Sequence, residues 1–354
     1  MSRCVLPFIG YDYQHKNPCC LLENYNDSKD RNKLLQEHNS NVKSEYCKKC
    51  YTQEDVGIKS KRQQYNELYK KYLHYTERKQ KIAVIPVGNV CNLSCVTCGP
   101  SFSTGWIKKS KTTKFKRHTA SDSNKQTANI IRNIQPDTIN DVDKLEHVEY
   151  IGGETLRSES LWDHLGKMNK EASFSMTTNG TFWPSRKQLE LLGSFKNFNI
   201  CFSLDGFGKI FEYIRQPANW MDVCTNVRKF VKTFGKEKFS IYLTVSNINI
   251  FYIDRIMIEL YKLIPVPIDL NLVHRPPVFN HANQPKEIGE IIERHNPIFF
   301  KNNNIQWKGN ADSLKQTLYN LKLQDKYSGL NFQSHLPEVY NLINDYIEKT
   351  SAKE

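Results

Sequence analysis

The chain has 354 residues, 39% of them hydrophobic, and carries a formal net charge of +13. That length supports one large core with a small satellite, and no apolar run approaches the ~20 residues of a membrane span. Its ten cysteines are clustered in a chain too large for a small secreted scaffold, so they read as metal ligands rather than disulfides. The start, Met1-Ser2-Arg3-Cys4, lacks an apolar signal-peptide core, and a soluble cytoplasmic protein is expected. The positive charge would suit an anionic partner such as nucleic acid, yet it is spread through lysine-rich helices and loops. A solvated surface is the first reading.

Residues 1–60 form a cysteine-rich segment. Cys4, Cys19, Cys20, Cys47 and Cys50 are half of the ten cysteines, and the polar stretch Glu23 to Ser44 between them reads as a loop or surface helix. Cys4, one of the Cys19/Cys20 pair, Cys47 and Cys50 would enclose a metal completely. Spacing alone leaves structural zinc and a [4Fe-4S] cluster equally open. Residues 61–81 follow as a helical connector, since Tyr65, Leu68, Tyr69, Tyr72 and Leu73 recur at helical spacing. The stripe is expected to pack on the core; a nucleic-acid surface is the alternative.

From residue 82 the pattern alternates. Strands are expected at Ile82–Val87, Val148–Ile151, Ser173–Thr177, Asn199–Leu204, Ser240–Val245 and Ile268–Val273. Helical patterns separate them, as in Ser158–Asn169, Ser185–Leu192, Trp220–Thr233 and Tyr252–Leu263. Such alternation implies parallel strands with crossover helices, an α/β fold whose chemistry sits at the C-terminal strand ends. Residues 276–354 read as a helical extension capping the core.

The first of these strands runs into Cys91-Asn92-Leu93-Ser94-Cys95-Val96-Thr97-Cys98, three thiols at C-x3-C-x2-C spacing. A [4Fe-4S] cluster takes four ligands, so three leave one iron open to a small molecule. Zinc prefers a closed set of four, and no fourth candidate lies close in sequence. Further strand ends carry Gly152-Gly153-Glu154, Thr178-Asn179-Gly180, Ser203 with Asp205, Tyr213-Ile214-Arg215, Asn247 with Asn249, and His274-Arg275. Paired glycines let a ligand approach bare backbone. Ser203 and Asp205 alternate to one side of a strand, a hydroxyl and a carboxylate suited to a ribose. Arg215 offers a bidentate partner for a carboxylate. Taken singly, each of these is also an ordinary turn, cap or strand terminus. Cys201 and Cys224 read as small buried core residues.

The cysteine triplet at the end of a first strand resembles the signature of the radical S-adenosylmethionine (radical SAM) enzymes, whose open iron binds the amino and carboxylate groups of SAM. The resemblance implies a partial (β/α)6 TIM-like barrel over residues 82–275, with the [4Fe-4S] cluster on Cys91, Cys95 and Cys98. It also implies SAM contacts from Val96, Gly152, Gly153, Glu154, Asn179, Ser203, Asp205, Arg215 and Asn249. Val96 departs from the family, which usually places an aromatic there. Residues 1–50 resemble the SPASM/twitch auxiliary-cluster modules, although those usually follow the core. This implies a second [4Fe-4S] cluster on Cys4, Cys19, Cys47 and Cys50, with zinc as the alternative and Cys19 preferred over Cys20 because it follows Pro18. His274 and Arg275 would face SAM or substrate. The implied activity is reductive cleavage of SAM and hydrogen abstraction from a substrate, a peptide by analogy. A reductase, flavodoxin or ferredoxin would supply electrons. The competing reading is a non-catalytic iron–sulfur or zinc protein that binds nucleic acid.

Overall fold

The computed structural model describes residues 2–13, 16–19, 21–100, 102–113 and 145–352. Cys20 and most of the lysine- and serine-rich stretch 108–126 lie outside the described residues. Seven strands form one sheet in sequence order: β1 Gly10–Asp12, β2 Ile82–Pro86, β3 His147–Ile151, β4 Ser173–Thr178, β5 Phe198–Ser203, β6 Phe239–Val245 and β7 Ile268–Leu272. Every neighbouring pair is parallel. The result is a partial TIM-like α/β barrel.

Six of the strands lie within a residue or two of their expected positions. The seventh, β1, comes from the cysteine-rich segment: Gly10, Tyr11 and Asp12 pair with Ile82, Ala83 and Val84. Three residues starting on a glycine give too short a period-two signal to stand out in sequence. Residues 1–60 are thereby tied to the edge of the sheet by main-chain hydrogen bonds.

The strands alternate as the barrel requires. On β4, Phe174 and Met176 are buried in the core, Thr178 is buried at the cavity end where it donates to Glu154, and Ser173, Ser175 and Thr177 are half-buried and face inward. On β5, Phe198, Ile200 and Phe202 take the outer side; Phe198 stacks on Phe174 and Phe202 on Phe239, and they meet Phe234 and Phe230 edge-on. Burying each such ring contributes roughly 1.5–3 kcal/mol. The helix Trp220–Phe234 supplies Val223, Cys224, Val227 and Phe230 to that layer, and Asn219 caps it by accepting from the Asp222 amide. Cys201 is buried as expected, but on the inward side of β5, where Asn199 beside it donates to Ser240 Oγ at 2.9 Å. No helix among the described residues is long and apolar enough to cross a membrane.

In the cysteine-rich segment, the polar stretch contains the helix Asp27–Asn39, capped by Asn26. The helical connector comprises Lys61–Leu68, with a Ser60/Gln63 capping box, followed by a short 3-10 turn at Lys70–Tyr72. Tyr72 is buried and Tyr65, Tyr69 and Leu73 pack beside it, while Leu68 is exposed.

Candidate active site

The loop after β2 is clamped by the start of the helix Thr104–Thr113. Thr104 Oγ1 accepts from the Cys91 amide and donates to the Cys91 carbonyl, both at 3.0 Å. Ser103 Oγ donates to the Leu93 carbonyl, and Trp106 Nε1 donates to the Cys95 carbonyl at 3.0 Å. From the barrel side, the Ser94 and Val96 amides donate to the carbonyls of Gln216 and Ile214 at 2.6 and 2.8 Å. Eight residues of loop are thus held from two sides. The polar trio Ser103, Thr104 and Trp106 was not singled out as functional in the sequence. Its one signal is a hydroxyl pair and an indole within a turn of a helix start.

Cys91, Cys95 and Cys98 all line a cavity of about 900 Å³ at the C-terminal strand ends. Burial pushes the Cys91 and Cys95 thiols up, while the Arg215 guanidinium draws both down. Asn179 Nδ2 lies 3.9 Å from Cys91 Sγ and donates to Asn92 Oδ1 at 3.2 Å. Gly152, Gly153, Asn179, Ser203, Asp205, Arg215, His274 and Arg275 line the same cavity. Ser203 and Asp205 share the inward side of the β5 end. Arg215 Nε donates to Asp205 Oδ2 at 2.8 Å, and Asp205 Oδ1 accepts from the Thr244 amide at 2.9 Å. Burial works against the Arg215 charge, but Asp205 together with the neighbouring Cys95 and Cys98 outweighs it and favours the charged guanidinium.

Other sequence candidates sit behind the cavity wall. Glu154 is buried and accepts from Thr178 Oγ1, the Asn179 amide and the Leu156 amide at 2.6, 2.6 and 3.2 Å. Its carboxyl is pushed up by burial, and it fastens β3 to β4. Asn249 is fully buried: Nδ2 donates to the carbonyls of Asp205 and Thr244, both at 2.9 Å, while Oδ1 accepts from the Ser246 amide. It latches β5 to β6. Asn247 donates to the Val278 carbonyl and to Thr317 Oγ1. The Val96 side chain is fully buried. The glycine pair is required by packing as well. A Cβ on Gly153 would come within 2.6 Å of the Val90 carbonyl, and one on Gly152 within 2.7 Å of the Gly88 carbonyl.

In the cysteine-rich segment, Cys4 and Cys50 are buried and Cys47 is half-buried. Burial, then Cys47, raises the Cys4 thiol, with Cys50 adding to it, so these three lie together. Cys19 is buried in the same apolar cluster as Cys4 and lines a crevice with Leu6, Gly10, Tyr11 and Ile82. His38, absent from the sequence candidates, is fully buried beside the trio. Its Nδ1 accepts from the Cys4 amide at 3.2 Å, and its Nε2 lies 3.7 Å from Cys47 Sγ.

Among the described residues, no group of three or more His, Cys, Asp or Glu side chains converges on a single-ion site. Zinc needs four donors around one point. A cubane presents separate irons at its corners, so its thiolates surround it without meeting. Cys91, Cys95 and Cys98 all line one cavity, as the separate corners of a cubane would require.

No family model matches this chain, and no curated protein sequence matches it. Among solved structures, native anSMEcpe with bound AdoMet is 18% identical with a TM-score of 0.40, over 68% of this chain and 66% of that one. Streptococcus suis SuiB bound to precursor peptide SuiA is 12% identical with a TM-score of 0.36, over 90% and 58%. TYW1 with a lysine-pyruvate adduct bound is 14% identical with a TM-score of 0.33, over 61% and 71%. The chain spans under two thirds of the first two structures.

Proposed function

We propose that the chain is a radical SAM enzyme. The observation that carries this reading is the meeting of Cys91, Cys95 and Cys98 with Asn179, Ser203, Asp205 and Arg215 around one cavity. A metal-dependent binding module does not need those polar groups at successive strand ends. Cys91, Cys95 and Cys98 would hold a [4Fe-4S] cluster with one iron open. When bound and reduced, that cluster supplies the electron that splits SAM into methionine and a 5′-deoxyadenosyl radical able to abstract hydrogen from a substrate.

The chain's own part is binding, orientation and shielding. Ser203 and the Asp205 carboxylate offer hydroxyl and carboxylate partners to a ribose. Arg215 faces the loop cysteines and carries the charge for a carboxylate, with Asp205 fixing its direction. Gly152 and Gly153 expose bare backbone at the β3 end. Glu154 and Asn249 act from behind, holding the strand ends in register. A second [4Fe-4S] cluster on Cys4, Cys19, Cys47 and Cys50, with zinc as the alternative, an external electron donor and a peptide substrate complete the reading.

The test is anaerobic reconstitution with iron and sulfide, dithionite reduction, and analysis for 5′-deoxyadenosine and methionine. Both products are expected. A reconstituted chain that binds iron but neither binds nor cleaves SAM would overturn the assignment.

A further inference from the structure

The wall of the cavity opposite in chemistry to the SAM-facing strand ends is built by the cysteine-rich segment and by β7. Among the described residues, six cations line the cavity: Lys48, Lys49, Lys59, Lys61, Arg215 and Arg275. The lining acids among them are Glu23, Glu149 and Asp205, and each already has a cation. Glu23 lies 3.7 Å from Lys49, Glu149 3.2 Å from Lys61, and Asp205 2.8 Å from Arg215. Lys48, Lys59 and Arg275 are therefore surplus within the lining. Lys59 turns to Glu67 outside it, and Lys48 and Arg275 form no ion pair among the described residues. All three are exposed.

These cations follow a strand edge. β7 pairs with β6 on one side. Among the described residues, no hydrogen bond joins the backbone of Ile268–Leu272 to any other segment. Leu270, Asn271 and Leu272 line the cavity, with Asn271 exposed. Lys59 acts on Asp269 near one end of this strand, and Lys49 acts on His274 just beyond the other. An open strand edge beside a cavity is a template for strand addition, which gives affinity through main-chain hydrogen bonds and specificity through side chains.

We propose that the substrate is an acidic peptide that adds as an extended strand to β7, its carboxylates held by Lys48, Lys59 and Arg275. This rests on the radical SAM reading and names its substrate class. A nucleic acid would meet the charge but has no backbone that can extend a sheet.

The probe is a short fluorescein-labelled peptide of alternating Glu and Val, read by fluorescence anisotropy on the reconstituted full chain. Controls are the Lys/Val counterpart, a backbone N-methylated Glu/Val peptide and a labelled oligothymidylate. The Glu/Val peptide is expected to bind, weaken with salt, and slow amide exchange across 268–272. Lys48→Gln with Lys59→Gln and Arg275→Gln should weaken it about tenfold, as loss of three exposed ion pairs implies. Should the triple variant misfold, Arg275→Gln alone should still give a measurable loss. Absent binding, equal binding of the Lys/Val or N-methylated peptide, tighter binding of the oligothymidylate, or an unaffected variant overturns the proposal. Anisotropy needs no SAM turnover, so the two readings fail separately. SAM cleavage without Glu/Val binding removes the peptide proposal alone, and Glu/Val binding without SAM cleavage removes the enzyme reading.

Discussion

Two cysteine trios in this chain share a residue type and differ in access. Cys91, Cys95 and Cys98 open onto a cavity of about 900 Å³, with the Arg215 charge beside Cys95. Cys4, Cys47 and Cys50 are enclosed by the helices of residues 1–60, and burial pushes Cys47 up to about 12. Arg62 lies against this second trio, with its guanidinium held by Glu54 at 2.9 and 2.6 Å and by the Arg3 carbonyl at 3.0 Å. A thiol group with open space before it can serve a ligand. A trio that opens onto no such cavity serves the fold, and any metal there contributes mainly folding energy.

The largest test of that contrast exchanges the two losses. Cys91→Ala with Cys95→Ala and Cys98→Ala should abolish 5′-deoxyadenosine formation and leave the circular dichroism spectrum unchanged. Cys4→Ala with Cys47→Ala and Cys50→Ala should lower the thermal midpoint while cleavage survives in part. Iron analysis and product chromatography on both variants decide it; the opposite pattern would invert the assignment of roles. Next in size, Arg215→Ala leaves Asp205, only 2% exposed, as an uncompensated charge at the cavity. Breaking such a pair costs about 3–5 kcal/mol. Urea unfolding should show that loss, and equilibrium binding should show weakened SAM affinity. A variant as stable as the parent would mean the pair is more solvated than its geometry implies.

What was legible in the sequence follows the same division. The barrel strands and the cysteine loop could be read because each is a local pattern: apolar runs such as Ile82–Pro86, alternation such as Ser173–Thr178, and three thiols within eight residues. Partners distant in the chain leave no such local pattern. Asp205 and Arg215 were separate ligand candidates, and only the fold shows them as a pair. Asn249 looked like a strand-end amide, yet its hydrogen bonds run to Asp205 and Thr244 backbone behind the wall. Cys47 and Cys50 are neighbours in sequence, but His38 reaches Cys47 and the Cys4 amide from the helix Asp27–Asn39. No spacing rule encodes that. Lys48 and Lys59 read as surface charge because nothing local shows that their segment lines the cavity.

Acid asks whether the two regions fold as one unit. His147, His164 and His281 are each pushed by burial from the ordinary 6.5 down to about 4. The unfolded chain therefore binds more protons than the folded chain between these values. Stability is full above about pH 6.5 and falls as pH drops toward 4, by up to about 1.4 kcal/mol per pH unit for each histidine. Urea midpoints should fall from pH 7.5 to pH 5.5. Because β1 ties residues 1–60 into the sheet, release of any metal held by the second trio and barrel unfolding should coincide on the urea axis. Two separated transitions would show that the cysteine-rich segment unfolds independently.

The smallest expected effect concerns His38, and it separates a metal ligand from a hydrogen-bond donor. Its Nδ1 accepts from the Cys4 amide, so in the neutral ring the proton sits on Nε2, which faces Cys47 Sγ at 3.7 Å. A nitrogen carrying a proton cannot ligate a metal, but it can donate to a thiolate that does. His38→Ala leaves the Cys4 amide buried without its acceptor, which costs about 1–3 kcal/mol. Loss of an outer partner of this kind typically weakens metal affinity about 10–100-fold. Iron release to a chelator should accelerate accordingly, and His38→Gln, whose amide can accept and donate, should restore part of the difference. Mössbauer parameters of the retained cluster should then stay close to those of the parent. If His38 were itself a ligand, both variants would lose one iron site outright, and the glutamine would rescue nothing.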